Sequence, residues 1–413
     1  MIAVSASYAE TTFLTADAMV DPASGQLITN PAILIENGKI SGVGTKTTIS
    51  IPDTATVIDL GAKTIMPGMI DMHVHLTGSP SIRGYRSLGF STHRRLILGV
   101  GNAEKTLMSG FTTVRNVGAG GYSDIALRDA INDGDMIGPR MYVSGPPVGI
   151  TGGHCSDNNL LPPEYNDEGE NVADGPWAMR KKVRRNIKYG VDLIKTCSTG
   201  GVFSKGTTLG AAQGTPDELA AIVDEAHARG LKVASHAHGT VGIKNAIRAG
   251  VDTIEHASFL DDEAIRLAKR NGVYLSMDIY NTEYTLAEGE KNGVLEESLE
   301  KERQVGTVQR ESFSKAVKAG VKIVLGTDAA IFPHGDNAKQ LSRMVRFGMT
   351  PAQALRAATI VAAEALGQSD KIGSIKPGAD ADIIAVAGNP LEDVTVLEQV
   401  DFVMKAGEVY KNQ

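Results

Sequence analysis

One cadence recurs through the middle of this chain: a helical segment, a glycine, then a short apolar run. It is plainest in AHARGLKVASH, AIRAGVDTIEH, LAKRNGVYLSM and AVKAGVKIVLG, with Gly230, Gly250, Gly272 and Gly320 at the helix-to-strand turns. Glycine supplies the left-handed backbone that closes a helix. Eight strands are predicted: Ile65–His73, Thr112–Val117, Arg140–Ser144, Asp192–Thr196, Lys232–His236, Thr253–Glu255, Tyr274–Met277 and Lys322–Gly326. The clearest helix is Pro216–Arg229, with Thr215 as N-cap, Pro216 in the first position and Glu218 completing a capping box. Strands alternating with helices imply a parallel sheet, and eight such units imply a closed (β/α)8 TIM barrel, here over residues 64–366.

The two ends read differently. AILIENGKISGVG alternates Ile33 and Ile35 and turns at Asn37-Gly38, a strong hairpin signal. Near the C-terminus, ADIIAVAG and DFVMKAGEVYKN are short β runs, the second turning across Lys405–Glu408. Residues 1–63 and 367–413 are therefore expected to build one small β-sandwich domain from both termini, giving an α/β chain overall. Residues 78–95 and 155–176 are long and polar, as lids or interfaces are, and the charged run 281–315 reads as a solvated face.

Composition narrows the partners. With 41 basic against 48 acidic residues the net charge is −7, so no basic field exists for nucleic acid. No run of about 20 apolar residues appears, so no membrane span is expected. Two cysteines, Cys155 and Cys197, make no disulfide framework. Met1–Glu10 shows no positively charged start or long apolar run; it also reads as what is left after removal of a leader, so cytoplasm and periplasm both stay open.

A barrel of this kind places its chemistry at the C-terminal ends of its strands. There the sequence puts His73 and His75, Lys195, His236, His256 and Asp328. The His-x-His pair on an extended strand points both imidazoles to one side. Alone, each of these residues has an ordinary reading: polar groups at a wet strand end, satisfied histidines, an aspartate capping a helix. Together, at ends placed independently by strand periodicity, they read as a metal site, and imidazole suits a borderline ion such as Zn²⁺. Lys195 follows the apolar run Val191–Ile194, where desolvation lowers an amine's pKa. Two readings stay open for it: an ammonium paired with a carboxylate, or a carbamate formed with CO₂, an anion able to bridge two cations.

The quoted segments extend this. PGMIDMHVHL, GVDLIKTCSTGGVFS, SHAHG, TIEHAS, LGTDA and KPGADADIIAV occur in order over nearly the whole chain, which resembles the amidohydrolase superfamily. The resemblance is to the branch of imidazolonepropionase-like enzymes, Xaa-Pro dipeptidases, related metal-dependent carboxypeptidases and ochratoxin-cleaving amidases. It implies two Zn²⁺ ions bridged by N6-carboxylated Lys195, with His73, His75 and Asp328 on one ion and His236 and His256 on the other. It also implies a homo-oligomer, and it places His154 and His238 where prolidases of this branch bind a substrate carboxylate; the second position can be tyrosine there, so a strict proline preference does not carry over.

The expected reaction is attack of a metal-bridging hydroxide on an amide carbonyl, with Asp328 moving the proton to the leaving nitrogen. The small-molecule substrate would be an amino acid with a free carboxylate, N-acylated by a second residue or an aromatic acyl group: an Xaa-Pro or other dipeptide, or an N-acyl amino acid such as ochratoxin A. A cyclic-amide hydrolase or deaminase is the alternative. A bridging lysine argues against a deaminase, and a cyclic amide would leave His154 and His238 without a carboxylate. Arg83, Arg86 and Arg115 are further cations that could meet a carboxylate, though solvation accounts for each. Cys197 lacks a base partner and reads as a packing residue rather than a nucleophile.

Overall fold

The computed structural model describes residues 11–155 and 159–413. The expectations on the first ten residues, and part of that on the 155–176 stretch, lie outside them. The chain is an α/β fold that divides into two compact units: Met1–Ile70, Met108–Thr112 and Pro351–Gln413 form one, Asp71–Leu107 and Thr113–Thr350 the other.

The strand cadence of the second unit is present in order. Leu193–Cys197, Lys232–Ala237, Thr253–His256, Tyr274–Ser276 and Ile323–Val324 lie side by side in one sheet, each pair parallel. Arg140–Val143, Phe111–Asn116 and Met69–Val74 make a three-stranded sheet. Parallel bridges Val74–Ala329 and Val148–Thr196 link the edges of the two sheets. The strands are buried on both faces, which is why they read as apolar runs without alternation. Gly230, Gly250, Gly272 and Gly320 all have positive φ, between 68° and 96°, at the turns where the sequence placed them.

The first predicted strand is divided. Lys63–Pro67 and Met69–Val74 are separate strands, and the first pairs antiparallel with Ile383–Ala387 in another sheet. The break falls at Gly68, where a Cβ would lie 2.1 Å from Thr112 Oγ1, so the backbone passes too close for any side chain.

In the first unit, four N-terminal strands form one sheet, and strands from both ends of the chain form a six-stranded sheet. Leu14, Ile33 and Ile35 of one and Met19, Ile65, Ile383, Phe402 and Met404 of the other are buried in a single apolar cluster. The hairpin Pro31–Glu36/Lys39–Thr45 turns at Asn37 and Gly38 with φ of 52° and 76°, the two left-handed residues that match the strand twist. Among the described residues no helix is long and apolar enough to cross a membrane.

The capping box forms as predicted: the Thr215 hydroxyl accepts from Glu218 N at 3.3 Å and Glu218 Oε2 accepts from Thr215 N at 2.7 Å. Thr215→Ala should cost about 1 kcal/mol of stability in thermal or urea unfolding, with no change in the shape of the transition.

Candidate active site

The six residues singled out as metal ligands converge. His73 Nε2 and His75 Nε2 lie 3.5 and 3.3 Å from Asp328 Oδ1. The rings of His73 and His256 are 5.1 Å apart, those of His236 and His256 4.5 Å. Potential ligand atoms of His73, His256 and Asp328 fall within 4.8 Å of one another, as do those of His236, His238 and His256. Glycine permits the closeness: a Cβ on Gly326 would stand 2.0 Å from Ser276 Oγ and 3.1 Å from the His73 Cβ. His256, Ala257, Asp328 and Ala330 all take positive φ without being glycine, so backbone strain gathers where the side chains meet.

The direction of each imidazole follows from what holds its other nitrogen. His73 Nδ1 faces Glu255 Oε2 at 2.8 Å, His75 Nδ1 faces Gly118 O at 3.0 Å, and His256 Nδ1 faces Asp278 Oδ1 at 2.9 Å. A carbonyl or carboxylate only accepts, so each Nδ1 carries the hydrogen, and Nε2 of the neutral rings His73 and His75 presents a lone pair to the centre. His236 Nε2 is buried with no hydrogen-bond partner. His154 and His238 differ: their Nδ1 atoms meet hydroxyls, Ser204 Oγ at 2.8 Å and Ser258 Oγ at 2.7 Å. A hydroxyl can donate, which leaves an Nε2–H on these two rings for an acceptor.

Burial sets the charges. It pushes His75 down to about 4 and His154 to about 3, and holds His73, His236 and His238 well below the ordinary imidazole value, so all five are neutral. Burial opposes charge on His256 too, but the Asp278 carboxylate overcomes it and raises that ring. Burial, reinforced by Asp278, pushes the Asp328 carboxyl up to about 7, and burial brings the Lys195 amine down to about 8. Lys195 is 3% exposed, and among the described residues no carboxylate lies within ion-pair distance of its Nζ. The ammonium–carboxylate pairing left open for this lysine is thus not formed.

Several supporting residues were not anticipated. Glu255, adjacent to His256, is fully buried and receives Arg115 Nη2 at 2.6 Å as well as His73. Arg115 also donates to Met72 O and Thr253 Oγ1, so it lies in the interior and not at a mouth where a substrate carboxylate could meet it. Asp278 is held by Gln309 Nε2 at 2.9 Å and Asn281 Nδ2 at 2.6 Å. Both amides come from the charged 281–315 run, whose two helices, Asn281–Glu288 and Glu296–Ala319, bury Asn281, Lys301, Glu302 and Gln309 and are not simply a solvated face. His154 rests on the His236 ring at 4.0 Å, over Gly201, where a Cβ would collide with its imidazole. Cys155 and Cys197 are joined in a disulfide, Cα atoms 6.6 Å apart, so Cys197 is not a free packing thiol. That bond fastens the loop bearing His154 to the strand bearing Lys195. Of the other arginines, Arg86 donates to Lys291 O at the surface, and Arg83 reaches Ala330 O beside Asp328.

Comparison with known proteins gives the family. The Amidohydrolase family model matches residues 64–410, and the chain belongs to that family: it is a hydrolase. Among its relatives is ochratoxinase of Aspergillus niger, 34% identical over 100% of this chain and 89% of the relative. A Xaa-Pro dipeptidase crystallised with methionine in its active site superposes with a TM-score of 0.92 at 39% identity, covering 98% of this chain and 100% of the other. Imidazolonepropionase of Geobacillus thermodenitrificans is 26% identical over 94% of this chain and 92% of the relative.

One buried acid tests the local electrostatics. Burial pushes the Glu302 carboxyl from 4.5 up to about 7, although the Thr282 hydroxyl donates to it at 2.6 Å. An unfolded chain ionises this group earlier than the folded one, so its contribution to stability is lost between 4.5 and about 7 as pH rises. Glu302→Gln should therefore raise Tm relative to wild type at pH 7.5 and leave it nearly unchanged at pH 4, as read by calorimetric scans at both values.

Proposed function

We propose that this protein is a binuclear-metal amide hydrolase that releases a C-terminal amino acid with a free carboxylate from its N-acyl or aminoacyl partner. The observation that carries the reading is the set of imidazoles anchored through Nδ1 to acceptors, with lone pairs left facing one point. We read the two linked sheets of parallel strands as a closed (β/α)8 barrel, and the terminal sheets as a sandwich around their shared apolar cluster. Ochratoxinase and Xaa-Pro dipeptidase relatives support the class of reaction.

The donor set fits two cations of the zinc type. His73, His75 and Asp328 would hold one, His236 and His256 the other, with N6-carboxylated Lys195 between them. The partnerless His236 Nε2 and the buried, unpaired Lys195 amine support that fit. Bound there, such ions supply a water acidic enough to attack at neutral pH and polarise the amide carbonyl.

The chain's own groups do the rest. Asp328, 3.3 Å from His75 Nε2 at the centre, takes the proton of the attacking water and gives it to the leaving nitrogen as the C–N bond breaks. Glu255, Gly118 O and Asp278 fix ring orientation and tautomer. His154 and His238, neutral and each with Nδ1 against a serine hydroxyl, receive the substrate carboxylate. His238 also stacks on His256 with ring centroids 4.8 Å apart, so the carboxylate is held close to the scissile bond. Assembly into a homo-oligomer accompanies this reading.

The direct test is a mass-spectrometric hydrolysis screen with zinc-loaded protein and bicarbonate, over Xaa-Pro and other dipeptides, N-acyl amino acids including ochratoxin A, and cyclic amides. Release of a free amino acid from an acyclic class is expected; turnover of cyclic amides alone would move the protein to the imidazolonepropionase type of reaction. Lys195→Ala should lose bound zinc, measured per protomer by elemental analysis, together with activity; full zinc occupancy in that variant would remove the bridge. His238→Ala should raise KM at least tenfold for free-carboxylate substrates and much less for the corresponding carboxamides.

A further inference from the structure

Arg83 is the cation the proposed reaction leaves unused. It sits in the 78–95 segment, half-buried, with Nε sealed from solvent and without a hydrogen-bond partner. Its guanidinium lies 5.1 Å over the Phe203 ring, on the loop that follows the Lys195 strand, and Nη2 donates to Ala330 O. Among the described residues no carboxylate comes within ion-pair distance of it; Asp328 is the acid whose charge it feels most. A guanidinium placed this deep is normally matched by a carboxylate in bidentate contact. Here its guanidinium meets one carbonyl and one aromatic face, and its Nε–H has no partner.

The site has two sides, and Arg83 stands on one. His154, His236 and His238 contact one another and form the side read above as receiving the terminal carboxylate. Arg83 is on the side of Asp328 and Ala330. With the carboxylate on the first side and the scissile carbonyl between, what reaches Arg83 is the acyl half of the substrate. A fixed positive charge there opposes the ammonium of an ordinary dipeptide and favours an anion.

We infer that Arg83 selects substrates whose acyl half carries an acidic oxygen, a carboxylate or phenolate, over those carrying a free amino group. The unmatched guanidinium, the Phe203 face beneath it and its place beside Asp328 together make an anion subsite. This rests on the amide-hydrolase reading for the direction in which the substrate lies. It makes the substrate a doubly anionic N-acyl amino acid rather than a zwitterionic dipeptide.

The test uses three compounds of equal acyl length with zinc-loaded protein: N-succinyl-, N-butanoyl- and N-(4-aminobutanoyl)-L-phenylalanine. Hydrolysis is followed as kcat/KM and binding by titration calorimetry. Wild type should favour the succinyl over the butanoyl compound by about tenfold, and the butanoyl over the aminobutanoyl, in both readouts. Arg83→Met should compress the three to within about threefold, and Arg83→Lys should keep the succinyl compound first. An unordered series in wild type, or an order that survives in Arg83→Met, overturns the anion subsite. Hydrolysis without charge preference sinks this inference alone. Charge-ordered binding without hydrolysis sinks the hydrolase reading alone, and no binding of any of the three overturns both.

Discussion

The site hangs on one buried ionic contact. Arg115, Glu255 and His73 come from three different strands, and a single carboxylate joins them: Arg115 Nη2 at 2.6 Å on one oxygen, His73 Nδ1 at 2.8 Å on the other. All three are at most 3% exposed. Removing one member of such a group leaves an uncompensated charge in the interior, at a cost of about 3–5 kcal/mol. The contact is therefore a constraint on the fold as much as on the chemistry. Arg115 must be where it is for Glu255 to be ionised, and Glu255 must be ionised for His73 to keep its hydrogen on Nδ1. His75 and His256 share that logic, since the Nδ1 of each faces an acceptor, Gly118 O for the first and Asp278 Oδ1 for the second.

The same arrangement separates two kinds of histidine that sequence cannot tell apart. His236 lies in the strand Lys232–Ala237 and His238 just past its end, and the two share neighbours. What divides them is the partner of the ring: an orphaned nitrogen on the first, a serine hydroxyl on the second. Around Asp278 the amides of Asn281 and Gln309 add donors to a carboxylate that already serves His256, so its charge is held in place by neutral groups.

Much of this was legible in the residues. The strand order, the hairpin at Asn37-Gly38, the capping box at Thr215 and the convergence of His73, His75, Lys195, His236, His256 and Asp328 follow from period, turn chemistry and strand ends. Glu255 was not legible because strand alternation points it away from His256. His256 itself takes a left-handed φ of 69°, which breaks that alternation just where the rule would be applied. The break at Gly68 was hidden for a related reason, since an apolar run does not record which sheet each half joins. The Cys155–Cys197 pairing was beyond reach because nothing in the residues between, across a sequence separation of 42, signals where the chain returns.

That disulfide changes when the loop bearing His154 loses its freedom. A loop tied to the strand beside Lys195 is ordered as the chain folds, so its conformational entropy is spent before any ligand arrives. On the proposed role of His154, association then involves little further ordering of the backbone at the tether, and a substrate meets a side chain already in place. Discrimination there must come from rejecting what does not fit, through steric contact and unmatched polar groups, and not from a closing motion rewarded only by the correct molecule.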